Sequence, residues 1–93
     1  MRRSADAAVI AVIRVKRAFE ILGDDIPDNL REAGEFRMKY PEDSLNLLGE
    51  RLNPPATKDA GAGRLRRLNT MADKRAAELG VPSTLDAARA AGH

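Results

Sequence analysis

The residues of this 93-residue chain that could do covalent chemistry are few. It has no cysteine, and its one histidine, His93, is the last residue. A thiol nucleophile, a disulfide and a cysteine-based zinc site are therefore excluded. Ser44 and Ser83 have no partner base. Asp24, Asp25 and Asp28 lie close together, but they lack the alternating oxygen ligands and glycine of a calcium loop, so capping and solvation are their expected roles. No catalytic site, cofactor or metal is expected. The chemistry that remains is that of cations beside small polar groups: Thr57, Lys58, Gly63, Arg64, Arg66, Arg67, Thr70 and Lys74. Arginine can pair bidentately with guanine, whereas lysine supplies mostly charge. A side chain is missing at Gly63, which would let a duplex come close to the backbone. The same cations read equally as the solvated face of a helix.

The elements that must carry these groups are helical. Alanine, leucine, arginine and glutamate are abundant, and β-branched residues cluster only near Val9 to Val15. A first helix is expected from Ala5 to Leu22, capped by Ser4 or Asp6 and ended by Gly23, with Ala8, Val12, Val15, Phe19 and Leu22 as its apolar stripe. A second runs from Asp28, after Pro27, to Lys39, with Leu30, Ala33 and Phe36 on one side. Pro41 stops it. A short third, residues 44–52, buries Leu45, Leu48 and Leu52, and its Gly49 suits a close approach by another helix. A stiff turn, residues 53–57, holds Pro54 and Pro55. A fourth helix, residues 58–79, starts at the N-cap Thr57, buries Leu65, Leu68, Ala72, Ala76 and Leu79, and ends at Gly80 and Pro82. Residues 81–93 are expected to be a C-terminal tail with at most a weak alanine-rich turn.

This is an all-α domain whose third and fourth helices have the order of a helix-turn-helix unit: a brace, a turn, then a recognition helix entering the major groove. At about 100° per residue, Leu65, Leu68 and Ala72 point inward, while Gly63, Arg66, Arg67, Thr70 and Lys74 fall opposite them. Arg64 lies nearer the buried side, where a phosphate or an acidic protein group is its expected contact. Thr57 and Lys58 sit at the helix N-terminus, whose free amides suit a phosphate. Arg2, Arg3, Arg14 and Arg17 are further candidates for backbone contacts.

Charge is distributed unevenly about a net of +2. Residues 1–19 and 53–93 are basic, and residues 20–52 are acidic. The basic portions suit a phosphate-rich partner; the acidic middle suits a basic protein or water. No apolar run approaches the ~20 residues of a membrane helix, and no signal peptide is legible, so a cytoplasmic protein is expected, nucleoid-associated on the DNA-binding reading.

The stretch from Ile21 through Ile26-Pro27 to Gly34 resembles the C-terminal domain of actinobacterial WhiA proteins. So do Ser44 to Pro55, Thr57-Lys58-Asp59-Ala60, Gly63-Arg64-Leu65-Arg66-Arg67-Leu68, Met71 to Ala76 and Leu79 to Pro82. The likeness covers roughly residues 4–84. It implies a sigma region 4-like, four-helix domain, residues 1–80, in a transcription regulator of sporulation and cell division. It further implies binding to double-stranded promoter DNA, partnership with sigma factor region 4 and RNA polymerase, and an N-terminal LAGLIDADG-like domain in the full-length protein. That larger domain is absent from these 93 residues, so an excised C-terminal domain with Met1 introduced by truncation is expected. Relatives carry larger apolar residues where this chain has Ala56 and Gly61. Gly61 and Gly63 should together soften the helix start by ~1–2 kcal/mol, and Gly61→Ile is expected to raise stability without abolishing DNA binding. The competing function is a module that binds a sigma factor or another regulator, with only weak, non-specific affinity for DNA.

Overall fold

The computed structural model describes residues 3–91, with side chains from Ala8 onward. The described residues form five helices: α1 Arg3–Leu22, α2 Asp28–Lys39, α3 Leu45–Arg51, α4 Lys58–Leu79 and α5 Thr84–Ala91. The all-α reading holds. The expected caps Ser4 and Asp6 and the cations Arg2 and Arg3 lie outside the described side chains, as does His93.

Each helix stops where its sequence makes continuation costly. Gly23, at φ 58°, donates its N–H to the Phe19 carbonyl at 2.8 Å and closes α1. Pro41 follows the last turn of α2. Gly80 takes φ 71°, a left-handed conformation that a Cβ resists, and Val81 N–H then reaches back to Ala76 O at 3.0 Å.

The core is aliphatic, as the shortage of aromatics requires. Val15, Ala18, Leu22, Ile26, Leu30, Leu68 and Ala72 form one buried cluster, edged by Phe19, Ile21, Met38, Leu65 and Met71. Leu48 on α3 and Leu52, its C-cap, are buried. Leu79 departs from the expected stripe: it is 60% exposed, because α4 outlasts the surface that covers it. Arg37 is buried and donates from Nη1 to the carbonyls of Pro41 (3.1 Å) and Asp43 (3.0 Å), which fixes the connector into α3.

The fifth helix occupies the segment expected to be a tail. Eight residues make a marginal helix alone, so its order comes from capping and docking. Ser83 N–H donates to Asp86 Oδ2 at 3.0 Å, and Asp86 N–H donates to Ser83 Oγ at 3.1 Å. These bonds hold the Asp86 carboxyl below the usual carboxylate range. Thr84, fully buried, donates to Asp73 Oδ1 from its hydroxyl (2.7 Å) and its N–H (2.8 Å). Arg14 completes the node, with Nε on Thr84 Oγ1 at 3.1 Å and Nη2 on Asp73 Oδ2 at 3.3 Å. Arg17 donates to the Pro82 carbonyl at 3.1 and 2.9 Å.

Candidate nucleic-acid interface

The helix-turn-helix unit is built from its caps inward. Ser44 Oγ accepts the Leu47 N–H at 3.2 Å and starts α3. Thr57 Oγ1 accepts the Ala60 N–H at 3.1 Å and starts α4. Ser44 and Ser83 are thus both engaged in helix capping. The turn folds back onto Gly49, whose carbonyl accepts the Ala56 N–H at 2.8 Å. A Cβ at Gly49 would collide with the Ala56 carbonyl and come within 2.9 Å of the Thr57 carbonyl. Backbone cannot yield as a flexible side chain can, so glycine is required here. Gly61 faces it: a Cβ there would lie 3.7 Å from the Gly49 backbone and from Leu48 Cδ2, which is ordinary contact. These distances leave room for a single methyl and do not test the isoleucine expected at this position.

The outer face of α4 carries the expected residues together. Arg66, Arg67, Thr70 and Lys74 are exposed, and Gly63 and Arg64 are half-buried. A Cβ at Gly63 would meet only Arg66 Nη2, at 3.8 Å. Gly63, Arg66, Arg67, Thr70 and Lys74 recur at spacings of three and four, so they form one stripe. Thr57 and Lys58, both exposed, lie at the helix N-terminus, about 24 Å from Lys74 along the axis. Among the described residues, no ion pair engages Lys58, Arg64, Arg66, Arg67 or Lys74.

The other arginines are engaged. Arg14 and Arg17, expected as further phosphate contacts, are held by Asp73, Thr84, Pro82 and Glu20. Their acceptors lie on α4 (Asp73), at the start of α5 (Thr84), in the connector between them (Pro82) and on α1 itself (Glu20). Arg51 pairs with Asp43 and stacks 3.6 Å from the Tyr40 ring centroid, bracing α3 against the end of α2. Arg75 pairs with Asp25, which raises the Arg75 pKa further. Sequence reading missed Glu32 and Asp73, whose partners are set by tertiary packing, and Arg37, whose acceptors are backbone carbonyls four and six residues on. Among the described residues, no group of three or more His, Asp or Glu gathers to hold a metal, and no helix is long and apolar enough to cross a membrane.

A family model described as the WhiA C-terminal HTH domain matches residues 1–72. A probable cell division protein WhiA of Leifsonia xyli subsp. xyli is 62% identical over 84 residues, covering 90% of this chain and 26% of that protein. The protein of the same name from Renibacterium salmoninarum is 61% identical with the same coverage. That from Nocardia farcinica is 57% identical over 90 residues, 97% of this chain and 28% of that protein. The chain thus spans about a quarter of the length of the curated relatives it matches.

Proposed function

The chain belongs to the WhiA C-terminal helix-turn-helix family, and from that membership we propose that it binds promoter DNA in a sequence-specific way as part of a transcription regulator. Residues 1–80 form the binding unit, and α4 enters the major groove. Arg66, Arg67 and Thr70 face base edges. Thr57, Lys58, Arg64 and Lys74 contact phosphates, and Gly63 lets the duplex approach the backbone. The carrying observation is that the cations of this face have no ion-pair partner among the described residues, on a helix whose outer surface is open at Gly63. Cell division is the process that the relatives' names carry, and sporulation is the one implied by resemblance. Such a protein acts in the cytoplasm, at the nucleoid.

A sigma factor is the proposed protein partner. Asp24, Asp28, Glu35 and Glu42 are exposed and offer a basic sigma surface an acidic counterpart. The test of the whole reading is a selection: the chain is mixed with random duplex at near-physiological salt, and the retained DNA is sequenced. An enriched motif is expected. Retention without enrichment would assign specificity to the partner, and no retention would favour the protein-binding alternative.

A further inference from the structure

The turn between α3 and α4 decides where the recognition helix points, and it is poor in backbone donors. Pro54 and Pro55 have no N–H. The N–H of Asn53 would ordinarily continue the helical ladder onto Gly49 O. That carbonyl is taken, however, by Leu52 N–H at 3.2 Å and Ala56 N–H at 2.8 Å. Asn53 N–H instead reaches out of the unit to Glu32 Oε2 at 3.1 Å. Glu32 lies on α2, half-buried. Among the described residues, this is the hydrogen bond that joins residues 53–57 to an element outside the helix-turn-helix unit.

We propose that Glu32 is a positioning residue for DNA binding: its carboxylate ties the head of the turn to α2 and thereby sets the entry angle of α4. The inference rests on the DNA-binding reading of α4. The turn is held at its far end by Ala56 on Gly49 and at its near end by Asn53 on Glu32. With the near end released, the stretch from Asn53 to the start of α4 can pivot about the end of α3. Arg66 and Arg67 would then shift relative to a groove that α3 still braces. A carboxylate is a strong acceptor for a lone amide, and a glutamine at the same place keeps an acceptor oxygen without the charge.

Glu32→Ala and Glu32→Gln separate these effects on the 93-residue chain. Amide hydrogen exchange is read without DNA, melting is recorded, and affinity is measured for duplex recovered from the selection. In Glu32→Ala, exchange at Asn53 is expected to rise roughly tenfold and to rise also at Ala60 and Gly61. Val15 and Leu68 should stay unchanged, and affinity should fall roughly three- to tenfold, the net scale of one exposed hydrogen bond. Glu32→Gln should return exchange and affinity to within about twofold of the parent. An equal rise in exchange at every site with a lowered melting temperature would make Glu32 a general stabiliser and overturn the proposal. So would unchanged exchange at Asn53, unchanged affinity in Glu32→Ala, or a Glu32→Gln that behaves as Glu32→Ala does. If the parent chain binds no DNA, the DNA reading itself fails, while the exchange data still decide whether the tether exists.

Discussion

The two halves of α4 treat charge in opposite ways. In the first half, Arg64, Arg66 and Arg67 carry no ion pair among the described residues, and the helix surface is open at Gly63. In the second half, Lys74 stays on the open stripe, but Asp73 is enclosed by Thr84 and Arg14, and Arg75 is paired with Asp25. The second half joins α1 and α5 to the core. The first half is braced from behind, with Gly61 against Gly49 and Leu48 of α3 and Leu68 beside Gly34 of α2. A basic residue thus gains a functional reading from the partner it lacks. Arg14 and Arg66 are indistinguishable by composition; one is bonded across the fold and the other is left to solvent.

The most damaging change to this division should be at the hinge between the halves of the helix-turn-helix unit. Gly49→Ala puts a methyl against the Ala56 carbonyl. A cost of ~3 kcal/mol is expected, read as a fall in melting temperature of more than ~10 °C. A variant that melts like the parent would mean that the turn does not rest on Gly49.

Next in size is the bonded half. Asp73→Ala leaves the Thr84 hydroxyl, the Thr84 N–H and Arg14 Nη2 without their acceptor. A loss of ~2 kcal/mol is expected in urea denaturation, with DNA affinity unchanged wherever the chain remains folded. An affinity loss larger than the unfolded fraction explains would blur the division between the two halves.

The paired glycines give the sharpest contrast. Gly61→Ala and Gly63→Ala should each raise stability by ~1 kcal/mol, because alanine favours helix and neither site obstructs a methyl. Their effects on DNA should differ: Gly61→Ala leaves affinity intact, and Gly63→Ala lowers it although the protein is more stable. Equal affinities for the two variants would remove the duplex from the Gly63 surface.

The smallest effect is acidic. The Asp86 carboxyl titrates below its ordinary value because of Ser83. The folded state therefore binds fewer protons than the unfolded chain in that window. The contribution is fully present above the ordinary aspartate value and is lost as pH falls through the lowered one. Hydrogen exchange followed from pH ~5 to ~2 should show α5 loosening in acid more than α2 does, once intrinsic rates are removed. Uniform loosening would dissociate Asp86 from the order of α5.

The sequence made the helix boundaries legible wherever a residue type forces one: Gly23, Pro41, Thr57 and Gly80 all end or start elements as read. The outward stripe on α4 was legible for the same reason, since helical periodicity is local. What escaped was long-range. Arg14 meets Thr84 across 70 positions and Arg17 meets Pro82 across 65, so both looked available for phosphate. Glu32 meets Asn53 across 21. The fifth helix carried a local signal in Ser83 and Asp86, three residues apart, but its order depends on docking to α1. Leu79 continued the periodicity past the end of its cover.

The most direct test of the central claim is the salt dependence of duplex binding by the parent chain and by an Arg66→Ala, Arg67→Ala double variant. If α4 presents these arginines to DNA, the parent's affinity falls steeply as salt rises. The double variant should then bind at least ~100-fold more weakly, with a slope smaller by as much as ~2 where both arginines neutralise phosphates, and with unchanged melting. Equal affinity and equal slope in the two proteins would contradict the account and assign this basic face to a protein.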